Sequence, residues 1–183
     1  MKSFQERLFK DFDVEKVEKD GKIRNVYVYK GDYASWNLEE EGRKRYRRLY
    51  AASGILICLL YLWKALQKTP MNASHIVGGI TMLSFVALLL LVMGVWQFVF
   101  AGEEMYLRDC RQMIPLIMGG SGLYALLQAA GTVAGIVFLV REGFSAAGLL
   151  VVLATAVSGF LSGCIFLAQK KLTYQVRKGS DTR

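Results

Sequence analysis

Three long stretches without a charged residue constrain this chain more than any other feature of its sequence. They cover residues 76–101, 113–140 and 143–169, and a fourth apolar stretch at 49–66 contains a single charge, Lys64. A helix needs about 20 apolar residues to cross the ~30 Å hydrocarbon core of a bilayer. A soluble helix of this length would show a polar face at 3.6-residue spacing, and the three uncharged stretches show none. The sequence therefore predicts an all-α integral membrane protein, a bundle of four transmembrane helices at about 49–67, 76–101, 113–140 and 144–169.

The charged residues are concentrated before the first apolar stretch. Residues 1–48 hold 13 of the 23 Lys and Arg residues and 10 of the 15 Asp and Glu residues. This division predicts a polar N-terminal module at 1–48, a transmembrane domain at 49–169 and a basic tail at 170–183. A cleaved signal peptide is not predicted, because its apolar core would lie within roughly the first 30 residues.

The basic residues also predict the orientation of the helices. Lys and Arg in short loops stay preferentially on the cytoplasmic side of a membrane. With the N-terminus inside, twelve Lys and Arg residues flank the helices on the cytoplasmic side, and three, Lys64, Lys68 and Arg141, lie on the other side. The sequence therefore predicts a multi-pass protein with both termini in the cytoplasm, and we expect it in a bacterial plasma membrane.

A dense basic cluster stands directly before the first apolar stretch. Anionic headgroups attract such residues by roughly 1 kcal/mol each, so the cluster is expected to hold the helix end at the membrane surface. No aromatic stacking platform or nucleic-acid motif accompanies it, so a nucleic-acid partner is not expected. The predicted partner is the lipid bilayer, with anionic headgroups on the cytoplasmic side, and the predicted membrane anchors are Arg43, Lys44, Arg45, Arg47, Arg48, Lys170 and Lys171.

The segment before the basic cluster carries the signals of folded structure. Apolar residues at helical spacing in 1–12 predict a short amphipathic helix. The Asp-Gly pair at 20–21 is a two-residue turn signal, and the "NVYVY" that follows is rich in strand formers, so a β-hairpin is expected. Asn37 with Glu40 three residues later forms a capping-box pattern, which predicts a helix from Leu38 into the first transmembrane helix. The N-terminal module is therefore expected to be a small cytoplasmic helix-plus-β-hairpin unit.

Small residues recur every four positions in the third and fourth predicted transmembrane helices. In lipid, such patterns let two helices approach closely, and van der Waals contact and hydrogen bonds then hold them together. The pattern predicts that these two helices pack against each other, and it is also typical of a homodimer contact or of a seam that holds a partner helix. The residues of this predicted seam are Gln128, Gly131, Gly135, Thr155, Gly159 and Gly163.

The chain lacks the groups that membrane catalysts and carriers commonly use. Its predicted transmembrane helices contain no Asp, Glu or Arg, which counts against a proton-coupled carrier. Lys64 stands near the outer end of its helix, where we expect its side chain to reach the headgroups. The three cysteines predict no disulfide, and their spacing fits no metal site. We therefore expect no enzyme activity, no bound metal and no cofactor.

Two functions remain for a bundle of this kind. The first is a non-catalytic scaffold or accessory subunit of a membrane complex, whose partner would be a second copy of the chain or another membrane protein. The second is a small oligomeric transporter or channel with an uncharged polar path near Gln97 and Gln128. Polar residues lining a continuous seam would favour the second function, and a filled bundle without a cavity would favour the first.

Overall fold

The bundle of four long helices is present. The structure is a computed structural model that describes residues 31–102 and 104–178 with their side chains, and residues 12–19 and 22–29 by their backbone pairing. The described helices are α1 (Glu40–Leu66), the short α2 (Pro70–Ala73), α3 (His75–Phe100), α4 (Leu107–Glu142) and α5 (Ala146–Lys171). Apart from α2, each is long and apolar enough to cross a membrane. The predicted bundle of membrane helices is therefore confirmed.

The long helices pack as a ring in the order α1, α3, α4, α5. Helix α4 lies between α3 and α5, and α1 closes the ring by packing against both α3 and α5. The outward faces carry exposed apolar side chains, as expected of helices in contact with lipid tails. The largest fully buried side chains include Tyr50, Ile57, Leu91, Phe98, Ile117 and Tyr124.

Helix α1 begins two residues later than the capping pattern predicts. It starts at Glu40, and the residue before it, Glu39, makes no side-chain capping bond. Asn37 is engaged elsewhere: its backbone N–H donates to the carbonyl oxygen of Thr173 at 3.1 Å, and its side-chain oxygen accepts from Gln175 at 3.4 Å. The predicted capping box is therefore wrong, because Asn37 pairs with the C-terminal segment instead.

The predicted β-hairpin is confirmed. Strand β1 (Phe12–Lys19) pairs antiparallel with β2 (Lys22–Tyr29), with Lys19 opposite Lys22. The pairing thus begins directly on both sides of the Asp-Gly pair at 20–21, as the turn signal predicts. The amphipathic helix expected at 1–12 lies outside the described residues, except that Phe12 is the first residue of β1.

A second sheet joins three distant parts of the chain. Strand β3 (Tyr33–Trp36) is central and pairs antiparallel with β4 (Glu104–Tyr106) on one side and with β5 (Tyr174–Arg177) on the other. These strands precede α1, connect α3 to α4 and follow α5, so they meet at one end of the bundle, which we call the sheet-capped end. The basic tail expected at 170–183 thus contains a strand, which no pattern local to the tail reveals.

Strand β3 attaches this sheet to the helices. Its residues alternate between half-buried and buried, as in a strand with one face on a core. Ala34 and Trp36 are the buried ones, and the Trp36 indole contacts the ring of Phe98 on α3, with 5.3 Å between ring centroids. The Trp36 ring also lies 6.4 Å from that of Tyr174 on β5. The sheet is therefore packed onto the bundle rather than suspended beside it.

At the opposite end, the connection between α1 and α3 folds inward over the end of α1. Thr69 caps α2 by accepting a hydrogen bond from the backbone N–H of Asn72 at 3.3 Å, and Met71 is buried. The side-chain amide of Asn72 donates to the carbonyl oxygens of Lys64 and Gln67, each at 2.8 Å. These bonds satisfy carbonyl groups that the end of a helix leaves without partners, and they hold the connection in place.

Candidate functional site

Helices α4 and α5 approach each other closely at two glycines of the predicted seam. A Cβ atom at Gly135 would lie 2.7 Å from Cγ2 of Val152, and one at Gly159 would lie 2.8 Å from the Cβ of Gln128. Distances below 3.0 Å leave no room for a side chain unless a helix shifts. The absence of side chains at Gly135 and Gly159 therefore allows the two helices to come this close, as small residues do in pairs of membrane helices.

Three other residues of the predicted seam have different surroundings. A Cβ at Gly131 would make an ordinary 3.4 Å contact with the methyl group of Thr155. The hydroxyl of Thr155 is buried and donates to the carbonyl oxygen of Val151 in its own helix at 2.8 Å. Gly163 lies outside the seam, because a Cβ there would meet no atom within 4 Å. Each four-residue step turns about 40° around a helix, so two steps from Thr155 rotate Gly163 away from α4.

A second crossing, between α3 and α4, brings two backbones together. A Cβ at Gly120 would lie 2.5 Å from the backbone nitrogen of Leu91, and one at Gly94 would lie 2.8 Å from the backbone nitrogen of Ile117. Backbone atoms cannot rotate out of the way as a side chain can, so both positions require glycine. A search for small residues repeated within one helix misses this crossing, because each helix contributes one glycine to it.

Buried polar side chains from α1, α4 and α5 form a column inside the bundle. The hydroxyl of Tyr50 on α1 donates to Oε1 of Gln169 on α5 at 3.2 Å, and the hydroxyl of Ser162 on α5 donates to the carbonyl oxygen of Ser121 on α4 at 2.9 Å. Each bond joins two helices, and such bonds between membrane helices contribute about 0.6 kcal/mol on average. The members of this polar column are Tyr50, Lys64, Ser121, Gln128, Ser162 and Gln169.

Lys64 belongs to the polar column, and its expected position near the headgroups is wrong. Its side chain is only 4% exposed and lies inside the bundle. The ammonium group donates to Oε1 of Gln128 on α4 at 2.5 Å, which joins α1 to α4 across the ring of helices. The ammonium also lies 5.4 Å from the centroid of the Tyr61 ring, within range of a cation–π interaction.

Lys64 faces inward because it continues the buried face of α1. Tyr50, Ile57, Tyr61 and Lys64 follow one another at steps of seven, four and three residues, which keeps them on one side of a helix. The other sides carry exposed apolar residues, among them Leu49, Ile55, Leu59, Leu62 and Leu66. The spacing that places Lys64 on one face with Tyr50, Ile57 and Tyr61 is visible in the sequence, but only the packing of α1 against α3 and α5 shows that this face is the buried one.

The predicted membrane anchors lie at the sheet-capped end, on the first turns of α1 and the last turn of α5. Lys44 forms an exposed ion pair with Glu40 at 2.6 Å. The guanidinium of Arg47 reaches the connection between α3 and β4, where it donates to the carbonyl oxygens of Ala101 and Gly102. Arg47 therefore also positions that connection. The remaining anchors at this end are exposed or half-buried: Arg43, Arg45, Arg48, Lys170 and Lys171.

The two glutamines of the expected polar path do not meet. Gln128 is buried in the polar column, whereas Gln97 is exposed and lines an open groove at the sheet-capped end, beside Tyr33 and Tyr106. Over the part of the chain that the structure describes, His, Cys, Asp and Glu side chains form no group of three that could hold a metal ion. The polar groups described at this site therefore offer hydrogen bonds around one buried ammonium group, that of Lys64.

No protein-family model, curated protein or solved structure matches this chain.

Proposed function

We propose that this protein is a non-catalytic scaffold or accessory subunit of a membrane complex. The observation that carries the proposal is the open edge of the three-stranded sheet at the sheet-capped end. Strand β5 pairs with β3 on one side, and no strand among the described residues lies on its other side. All four residues of β5 are exposed. An open strand edge is a template on which another protein can add a strand of its own.

The register of β5 determines which backbone groups face this open edge. In an antiparallel pair, residues that exchange hydrogen bonds alternate with residues that do not. The bond between Asn37 and Thr173 places Gln175, two residues further on, in a bonded pair as well. Val176, which stands opposite Ala34, then directs its N–H and C=O groups away from β3. A strand added by a partner would therefore bond to Val176.

The closed interior of the bundle supports a scaffold. The bonds of the polar column each join two helices, and glycines close the crossings of α4 with α3 and with α5. An enclosed cavity beside Gln128 has a volume of about 10 Å³, close to the minimum for one water molecule. Buried polar networks of this kind stabilise one particular packing arrangement, which suits a subunit that presents a fixed surface to a partner.

In this proposal, the sheet-capped end and the N-terminal module both lie in the cytoplasm of a bacterial cell. Among the described residues, eleven Lys and Arg residues flank the helices at that end, and with Lys64 buried, only Lys68 and Arg141 remain at the opposite end. The asymmetry follows the rule that basic residues stay inside. The predicted anchors would contact anionic lipids, and a cytoplasmic strand of a membrane partner or of a second copy would reach β5.

One observation favours a second candidate function, a small oligomeric transporter or channel. The polar column contains a buried charge, Lys64, and ionisable residues inside membrane domains commonly mark the paths of substrates or ions. Such a path would follow the column past Gln128 and would require α1 to move away from α4. Solute flux into proteoliposomes that disappears on Lys64→Met substitution would support transport over the scaffold proposal.

The scaffold proposal is tested by purifying the protein in mild detergent and identifying what copurifies by mass spectrometry. Val176→Pro removes the outward N–H of β5 while leaving the bonds to β3 in place, because proline is tolerated where the N–H faces away from the sheet. Val176→Thr keeps that N–H and is the matched control. We expect the wild type and Val176→Thr to retain the partner, and Val176→Pro to lose it at least tenfold with an unchanged melting temperature. Equal recovery with all three proteins, or no partner and no oligomer with the wild type, would overturn the proposal.

A further inference from the structure

An enclosed cavity lies between Lys64 and Gln128 of the polar column. Its volume of about 10 Å³ leaves room for one particle of about the size of a water molecule. The other walls come from α3, α5 and the inward-folded connection after α1. They combine the apolar side chains of Met71, Val77, Ile80, Val151 and Val152 with the polar side chains of Asn72, Thr81 and Thr155. Any occupant must therefore be small, and the Lys64 ammonium and the Gln128 amide are among the polar groups that it can contact.

These two side chains carry hydrogen-bond donors that have no acceptor among the described residues. The Lys64 ammonium has three N–H groups, and the described structure uses one of them, on Oε1 of Gln128. The amide nitrogen Nε2 of Gln128 is buried and has no hydrogen-bond partner among the described residues. Buried polar groups nearly always have a partner, so an unpartnered amide beside an ammonium calls for an acceptor in the cavity.

The positive charge of Lys64 has no counter-ion inside the bundle. Residues 49–101, 113–140 and 143–169 contain no Asp or Glu. Glu142, the last residue of α4, lies between the second and third of these stretches and is exposed. An ammonium group in a membrane interior is costly unless it is paired, so the acceptor that the cavity needs is one that also carries a negative charge.

We propose that this cavity binds one small monovalent anion of halide size, held by the Lys64 ammonium and the Gln128 amide. Such an ion accepts hydrogen bonds from both groups and neutralises the charge. A water molecule would accept the same bonds and leave the ammonium uncompensated. A metal cation would find no carboxylate and would be repelled by Lys64. The carboxylate of a partner helix and the phosphate of a lipid are too large for the enclosed space.

The test measures thermal unfolding of the purified full chain in sodium fluoride, chloride and bromide, with sodium gluconate at the same ionic strength as reference. We expect at least one halide to raise the melting temperature of the wild type in a saturable manner, whereas gluconate does not. Lys64→Met removes the ammonium from a side chain of similar length and should raise the half-saturating halide concentration at least tenfold. Lys68→Met, at an exposed lysine one turn further on, is the matched control and should keep the wild-type response.

A second variant keeps the proposal open to refutation if Lys64→Met does not fold. Gln128→Glu places a carboxylate of nearly the same size beside the ammonium, so the chain supplies its own counter-ion. We expect this variant to fold without halide and to have lost the halide response. The proposal is overturned if the wild-type melting temperature is the same in every halide as in gluconate, or if Gln128→Glu retains the full wild-type shift, since the shift would then be a general salt effect.

Discussion

Replacing Gly120 by Ala should destabilise the bundle, whereas the same replacement at the neighbouring Gly119 should not. A Cβ at Gly120 would lie 2.5 Å from the backbone nitrogen and 2.9 Å from the Cα of Leu91. Favourable contacts between such atoms begin at about 3.5 Å, so α3 and α4 would have to separate by roughly 1 Å. A Cβ at Gly119 would meet no atom within 4 Å. The two adjacent glycines therefore form a matched pair in one helix.

The size of the effect follows from two opposing contributions. Replacing glycine by alanine inside a helix stabilises it by about 0.5–1 kcal/mol, because the unfolded chain loses conformational freedom. Forcing an extra carbon into a close-packed contact costs about 1–3 kcal/mol, and the contact at Gly120 is with backbone, which gives way least. We therefore expect Gly120→Ala to lower the free energy of unfolding by about 1–2 kcal/mol, and Gly119→Ala to raise it by up to about 1 kcal/mol.

The assay is reversible unfolding in mixed micelles with increasing sodium dodecyl sulfate, followed by far-ultraviolet circular dichroism on the wild type and both variants. The difference between the two variants is the informative quantity, because detergent and helix propensity act equally on both. Equal unfolding free energies for the two variants, or a stabilised Gly120→Ala protein, would refute the close crossing of α3 and α4.

Three further predictions address the α4–α5 seam, the orientation and the basic anchors. Gly159→Ala should lower the melting temperature, whereas Gly163→Ala should leave it unchanged or raise it, because a Cβ has room only at Gly163. Thermal unfolding of the two variants compares them. In a cysteine-free background, a cysteine replacing Phe144 should react with a membrane-impermeant reagent in intact cells, and a cysteine replacing Lys178 should react only after permeabilisation. The reverse pattern would contradict the proposed cytoplasmic location of the sheet-capped end. Arg47→Gln should destabilise the protein by about 1 kcal/mol through lost charge-assisted bonds to two loop carbonyls, and no change in unfolding free energy would show that these bonds contribute nothing.

The glycines illustrate how far a helix pattern can predict packing. Gly135 and Gly159 could be assigned to a contact between two helices from their spacing, and both lie where α4 and α5 come close. Gly163 has the same spacing but faces open space, because each four-residue step turns about 40° further around the helix and away from α4. Gly94 and Gly120 have no repeat to mark them, because the contact they permit depends on where two different helices cross.

The strands show the same limit as the glycines. The hairpin of β1 and β2 could be predicted because its turn signal and its strand formers lie within a few residues of each other. Strands β4 and β5 have three and four residues and belong to segments that read as a charged loop and a basic tail. They form strands because the fold of the helices places them on the two sides of β3. The same arrangement pairs Asn37 with Thr173, so Asn37 does not cap α1.

The apolar surroundings of the long helices, their number and the hairpin could all be predicted from the sequence, because each depends on residues that are close together in the chain. The length of an apolar stretch is a local property of the sequence, and this length determines whether the stretch can span a bilayer. The burial of Lys64, in contrast, depends on the tertiary structure. In the sequence, Lys64 lies near the end of an apolar stretch, where its ammonium group could reach the lipid headgroups. In the fold, the connection after α1 turns inward and Gln128 on α4 accepts a hydrogen bond from the Lys64 ammonium, so the buried charge is stabilised by contacts that the spacing within α1 does not contain.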